Sequence, residues 1–218
     1  MKTAYFTPET VYSKAETMLA QIGQNRKQNS LNFHQTTLLV LDMQDFFLDP
    51  SNHAYIPSAP AIIPNLQKLI SVFSQHHRSI IFTKHINSAE DGAAMSRWWR
   101  DLITVENPLS AITHQLDISG HLTLVKTQYD ALYQTDLETI LKKQGVTQVV
   151  ITGVMTHLCC ETTARSAFVR GFDVFFVVDG TATYTEAHHQ ASLLNLAHGF
   201  ATPILTADIL RTFSEDEN

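Results

Sequence analysis

Gln148-Val149-Val150-Ile151-Thr152 is a run rich in β-branched residues, and it leads through Gly153-Val154-Met155-Thr156-His157-Leu158 to Cys159. A strand with almost no polar alternation is covered on both faces, as in the middle of a parallel sheet. Cys160 to Arg170 continues with helical spacing and stops at Gly171, the residue type favoured just past a helix end. Val174 to Val178 is then a second buried strand. A strand, a helix and a strand in this order define a layered α/β arrangement.

The same alternation continues in both directions. Thr37 to Leu41, Ser79 to Thr83, Leu122 to Val125 and Pro203 to Thr206 read as further strands. Between them, Ile63, Leu66, Leu69, Ile70 and Phe73 recur at three or four positions and form one apolar helix stripe. Thr135-Asp136-Leu137-Glu138 has the form of a capping box opening a helix through Leu141, and Thr185 caps another that runs to His198 before Gly199. Strands alternating with helices predict an α/β, doubly wound parallel sheet. Residues 36–210 make up the domain. Residues 1–35 form a polar N-terminal extension with one helix over Thr10 to Ile22, and 211–218 form an acidic tail.

Composition narrows the function classes. A chain of 218 residues with 44% hydrophobic residues suits a single domain with a sizeable core. The formal charge of −6 argues against a nucleic-acid partner, which calls for a basic stripe. No apolar run reaches the roughly 18 residues that a membrane span requires, and the N-terminus lacks the apolar core of a secretion signal. The two cysteines, Cys159 and Cys160, are neighbours and make a poor structural disulfide. These features predict a reduced, cytoplasmic protein with no membrane or nucleic-acid partner.

In an open parallel sheet, ligands gather beyond the carboxyl ends of the strands. The first strand ends at Asp42, the third at Lys126, and the fourth leads to Cys159 where a helix begins. An acid, an ammonium and a thiol at three equivalent ends form a chemically coherent set. A thiol near an ammonium and a helix N-terminus is expected to have its thiolate stabilised. A neighbouring carboxylate can take its proton and pass it to a leaving nitrogen, and N–H groups in the turn can bind an oxyanion. The bland alternatives are a sheet-end acid bonded to backbone, a solvated lysine and a buried cysteine. Cys160, one position further into the helix, fits the buried role better than Cys159.

Leu39-Val40-Leu41-Asp42-Met43-Gln44-Asp45-Phe46-Phe47, the Val125-Lys126 step, and Gly153-Val154-Met155-Thr156-His157-Leu158-Cys159-Cys160-Glu161-Thr162-Thr163-Ala164 resemble the three sequence blocks of the isochorismatase-like hydrolase superfamily. The resemblance spans about residues 36 to 210. It implies six parallel strands flanked by helices, with Asp42 as acid/base, Lys126 as catalytic lysine and Cys159 as nucleophile. It also implies a cis peptide at Val154-Met155, an oxyanion hole from the N–H groups of Met155 and Cys159, and a homodimer or homotetramer. The family contains two chemistries. Cysteine hydrolases cleave C–N bonds of small amides, imides and carbamoyl compounds, and Cys159 favours that branch. True isochorismatases hydrolyse a vinyl ether and release pyruvate, and Met43 to Phe47 together with His157 look more like that branch. A catalytically silent binding protein using the same pocket is a further alternative.

No catalytic metal or other cofactor is expected. Metal-binding nicotinamidases place an Asp-x-His arrangement after the second strand, whereas here that strand ends in Lys84-His85-Ile86-Asn87. His76-His77 and His188-His189 are adjacent pairs that would not face one another on a helix. The substrate-binding set read from the sequence is Gln44, Phe47, His85, Trp98, Trp99, Tyr133 and His157, around a small-molecule substrate. The competing roles are a plain turn for Gln44, a solvated or core-bonded ring for His85 and His157, and core packing for Trp98, Trp99 and Tyr133.

Overall fold

The computed structural model describes residues 2–22 and 30–215. Six parallel strands form one sheet: β1 Thr36–Leu41, β2 Ile80–His85, β3 Leu122–Lys126, β4 Gln148–Val154, β5 Asp173–Ala182 and β6 Thr202–Ile204. Their spatial order is β3-β2-β1-β4-β5-β6, so the direction of winding reverses between β1 and β4. Eight α-helices accompany the sheet: α1 Val11–Ile22, α2 Asp45–Leu48, α3 Ala59–Gln75, α4 Met95–Trp98, α5 Leu137–Lys143, α6 Glu161–Val169, α7 Glu186–Gly199 and α8 Thr206–Glu215 among the described residues. The chain therefore has the expected doubly wound α/β architecture.

The central strands are apolar because both faces are covered. β1 and β4 are buried along their whole length and pair in register from Thr36 with Gln148 to Leu41 with Gly153. Gly153 has a φ of +103°, and a Cβ there would lie 2.1 Å from the Leu41 carbonyl oxygen. Only glycine lets the two strands meet so closely at the switch point. β3 behaves differently: it is an edge strand, and Leu122 and Val125 are exposed.

Several local expectations change. Thr135 and Glu138 do not form a capping box. The Thr135 hydroxyl donates to the Ala131 carbonyl and accepts from Leu137 N–H, while Glu138 pairs with Lys142 and Arg170 instead of reaching back. Thr185 does cap α7, accepting from His188 N–H at 3.2 Å. The helix expected from Cys160 is preceded by a wide π-type turn over Thr156–Cys160, so Cys159 lies within helical backbone and not at its first residue. Residues 2–22, read as a polar extension, contribute Tyr5, Phe6, Val11, Ala15 and Met18 to the same hydrophobic core as the sheet. Of the stretch read as an acidic tail, Arg211 to Glu215 belongs to α8 and residues 216–218 lie outside the described residues.

Candidate active site

The carboxyl ends of β1, β2, β3 and β4 meet on one side of the sheet. Asp42 follows β1 with a φ of +52°, an uncommon backbone state for a residue with a side chain. Its N–H bonds to the Thr83 carbonyl, and its Oδ1 accepts from the Thr83 hydroxyl at 2.6 Å. Oδ2 lies 2.7 Å from Lys126 Nζ, and both side chains are sealed from solvent. The same ammonium donates to the Gln128 carbonyl at 2.9 Å and lies 3.4 Å from both Cys159 Sγ and His85 Nδ1. The structure therefore brings Asp42, Lys126 and Cys159 together and adds His85 as a fourth neighbour.

The charges of this cluster follow from burial and proximity. Burial alone would raise the Asp42 pKa, but the Lys126 ammonium, with His85 and the hydrogen bonds from Cys159 and Lys126, holds it below the ordinary carboxylate value. Burial likewise opposes the Lys126 charge, and Asp42 and Cys159 outweigh it, so that lysine stays protonated. For Cys159, burial pushes the thiol up to about 12; Lys126 pulls it down and Asp42 pushes it further up. This corrects the expectation of a stabilised resting thiolate. The free site holds a carboxylate, an ammonium and a neutral thiol close together.

His85 is neutral as well, because burial and the Lys126 charge both lower its pKa. Asn87 donates its amide to Asp91 and to the Thr127 carbonyl, which leaves Asn87 Oδ1 to accept from His85 Nε2 at 2.7 Å. That assigns the ring proton to Nε2 and turns the Nδ1 lone pair toward Lys126.

Asp42, His85 and Cys159 each offer a donor atom within 4.8 Å of the other two, the only such trio among the described residues. Lys126 already places a positive charge among them, at 2.7 Å from Asp42 and 3.4 Å from Cys159 and His85. A divalent cation would have to sit against that ammonium, so the donor set does not fit one.

Cys159 opens into a cavity of about 140 Å³ whose lining includes Phe46, Phe47, His85, Trp99, Tyr129 and Tyr184. Of the residues read as substrate-binding, Phe47, His85 and Trp99 line it. Trp98 does not: it is 78% exposed and is not among the lining residues. Tyr133 is also largely exposed, outside the cavity, and Tyr129 stands in its place. Trp99 donates its indole N–H to the Tyr129 hydroxyl at 2.6 Å, tying the segment after α4 to the loop after β3.

Gln44 is fully buried and clamps backbone, accepting from His85 N–H at 2.8 Å and donating to the carbonyls of His85 and Ser110. His157 bonds to Thr183 at 2.6 Å and stacks on His188 outside the cavity lining. Met155 lines the cavity, and the peptide Val154-Met155 is cis.

Tyr129, Tyr184, His53 and Arg100 are lining residues that the sequence reading did not single out. For Tyr129 a local signal existed: it is an aromatic residue three positions after a reactive strand-end lysine. His53 and Tyr184 reach the site from segments far apart in the sequence, and no local pattern marks them.

A strand-end acid, an ammonium and a thiol beneath a mostly apolar cavity describe a hydrolase site, and comparison with known proteins agrees. The isochorismatase domain family model matches residues 36–208. The chain belongs to that family of hydrolases. It is 38% identical over 170 residues to "Nicotinamidase 3" of Arabidopsis thaliana, covering 75% of this chain and 81% of that one. It is 30% identical over 192 residues to "Enterobactin synthase component B" of Escherichia coli K12, covering 87% and 67%. Its fold is similar to that of a cysteine hydrolase from Pseudomonas syringae pv. phaseolicola 1448A, with a TM-score of 0.84, 24% identity, and coverage of 88% and 99%. Among the described residues no helix is long and apolar enough to cross a membrane.

Proposed function

We propose that the protein is a metal-independent cysteine hydrolase that cleaves the C–N bond of a small, neutral amide, imide or carbamoyl compound. The observation that carries this reading is the position of Cys159 Sγ, within 4.8 Å of an Asp42 carboxylate oxygen, 3.4 Å from Lys126 Nζ and facing the cavity. As the substrate carbonyl docks, Cys159 gives its proton to Asp42 and attacks the carbonyl carbon. Asp42 then passes that proton to the leaving nitrogen, and ammonia or an amine departs from a thioester. Water adds to the thioester with Asp42 taking its proton, and the acid is released as the thiol re-forms. Lys126 orients Asp42 throughout and keeps it ionised in the free enzyme, ready to take the proton. The backbone N–H groups of Met155 and Cys159 hold the oxyanion.

Burial raises the thiol, so in this cycle the thiolate is formed only as the carbonyl arrives to receive it. Neutral substrates are favoured by the cavity's charge. Lys126 is spent on Asp42 and Arg100 is largely exposed beside Asp101, so the lining sets aside no buried lysine or arginine for a substrate carboxylate.

The second reading is isochorismatase-type vinyl-ether hydrolysis releasing pyruvate, with Asp42 as general acid. The 30% identity to enterobactin synthase component B over 87% of this chain favours it. An Asp42 held ionised by Lys126 weighs against it, because a general acid must begin protonated. The two separate on Cys159→Ala, with ammonia release from nicotinamide and carbamoyl compounds measured beside pyruvate release from isochorismate. Loss of ammonia release in the variant, with an acyl adduct on Cys159 trapped in the wild type, supports the cysteine hydrolase. Pyruvate release that survives the substitution supports the alternative. A wild type that turns over none of these compounds leaves the silent binding protein.

A further inference from the structure

The family match begins at residue 36, yet residues 2–6 reach the walls of the active site. Tyr5 is buried, and its hydroxyl accepts the Thr183 N–H at 3.0 Å. The same oxygen lies 3.0 Å from His189 Nδ1, and that nitrogen is also 3.0 Å from the Thr156 hydroxyl. In either histidine tautomer, Tyr5, His189 and Thr156 form one buried polar cluster. Thr156 is the first residue of the turn that carries Cys159. Polar groups in so dry a place hold their geometry tightly, because losing a partner leaves another group unsatisfied.

Lys2 makes a second connection, at the rim. Its ammonium donates to the backbone carbonyls of His53 and Tyr55 and lies 4.0 Å above the Tyr184 ring. Thr3 N–H bonds to the Tyr184 carbonyl at 2.9 Å, and Phe6 N–H bonds to the Ser58 hydroxyl at 3.0 Å. His53 and Tyr184 both line the cavity. They come from segments about 130 residues apart in the chain, and Lys2 touches both.

We propose that residues 2–6 are a working part of the active site: Tyr5 positions the Cys159 turn, and Lys2 fixes the cavity wall formed by His53 and Tyr184. Both are positioning residues, acting through Thr156 and through the wall. The inference rests on the reading of Cys159 as the reactive group, and it does not depend on which compound is hydrolysed.

The test uses the full chain with Tyr5→Phe and Lys2→Met, each checked for a cooperative melt. The rate of Cys159 alkylation is mapped by mass with iodoacetamide and with its bulkier N-benzyl analogue, from pH 7 to 10. Tyr5→Phe is expected to change the iodoacetamide rate by about three- to tenfold across this pH range, and to change how steeply it rises with pH, as the thiol shifts relative to Asp42 and Lys126. Lys2→Met is expected to leave the iodoacetamide rate in place and to change the ratio of the bulky reagent to the small one by about threefold or more.

A wild-type rate and pH profile in Tyr5→Phe overturns the first role, and a wild-type reagent ratio in Lys2→Met overturns the second. Thr156→Val breaks the same cluster from the other side and replaces Tyr5→Phe if that variant does not fold. Ammonia release by the wild type is measured separately. If it is absent while the alkylation effects appear, the C–N hydrolase reading fails and the role of the N-terminal residues stands.

Discussion

Lys126 Nζ lies 2.7 Å from Asp42 Oδ2, and neither side chain touches solvent. Burying two charges is costly, and a pair of this kind holds only while both members are present. Lys126→Met therefore leaves Asp42 as an unpaired buried carboxylate, with an expected loss of about 3–5 kcal/mol of stability. Adding Asp42→Leu to the same chain removes the orphaned charge and should recover most of that loss while activity stays abolished. Denaturant melts of the two single variants and the double variant check this. A double variant less stable than either single one would mean that the ion pair stabilises the fold in its own right.

Buried neutral histidines give the acid limb of stability a definite sign. Burial lowers His189 to about 3, while burial together with the neighbouring His188 lowers His157 to about 4. In the unfolded chain each titrates near about 6.5. Between those values the unfolded state binds a proton that the folded state refuses, so stability rises with pH there. Their contribution is full above pH 6.5 and is lost as pH falls toward about 4 for His157 and about 3 for His189. The slope is about 1.4 kcal/mol per pH unit for each histidine. Melts of His189→Asn across pH 4 to 7 should show a shallower limb than wild type; an unchanged slope would show that His189 does not titrate in this window.

The cavity wall separates the two adjacent tryptophans. Trp99 lines the cavity and bonds to Tyr129, whereas Trp98 is exposed. Trp99→Phe and Tyr129→Phe should each raise KM by about three- to tenfold through the broken hydrogen bond. Trp98→Ala should leave KM within about twofold, as expected of a surface side chain. Steady-state kinetics on any accepted substrate decide it, and a large KM effect at Trp98 would place that ring over the bound substrate.

The sequence made some of this legible and hid the rest for identifiable reasons. β1 and β4 could be read because burial on both faces removes polar alternation from Thr37 to Leu41 and from Gln148 to Thr152. Asp42, Lys126 and Cys159 could be placed together because strand ends of a parallel sheet share one side. Trp98 and Trp99 could not be separated, since successive residues at the end of a four-residue helix diverge by about 100° and the direction of that helix is set by tertiary contacts. Tyr129 and Tyr133 both follow Lys126, and the loop path chooses between them. Gln44 looked like a site residue because it adjoins Asp42, but its side chain spans to His85 and Ser110. The thiol charge was misjudged because lysine proximity was visible in the sequence while complete burial was not.

That misjudged charge leads to a test in which reactivity and catalysis move in opposite directions. Asp42 sits against the Cys159 thiol and raises its pKa, on top of the larger effect of burial. Asp42→Asn removes this negative charge and leaves the Lys126 ammonium facing the sulfur at 3.4 Å. The thiol pKa should then fall, and Cys159 should alkylate faster at pH 8 than in the wild type. Hydrolysis should fall all the same, by about a hundredfold or more, because the group that carries the proton to the leaving nitrogen is gone. Cys160 is fully buried beside the Thr152 carbonyl and should stay unlabelled in both proteins. Mass-mapped iodoacetamide labelling beside an ammonia assay reads both quantities from one preparation. If Asp42→Asn slows labelling and hydrolysis together, Asp42 is lowering the thiol pKa, and the resting site holds a thiolate–ammonium pair.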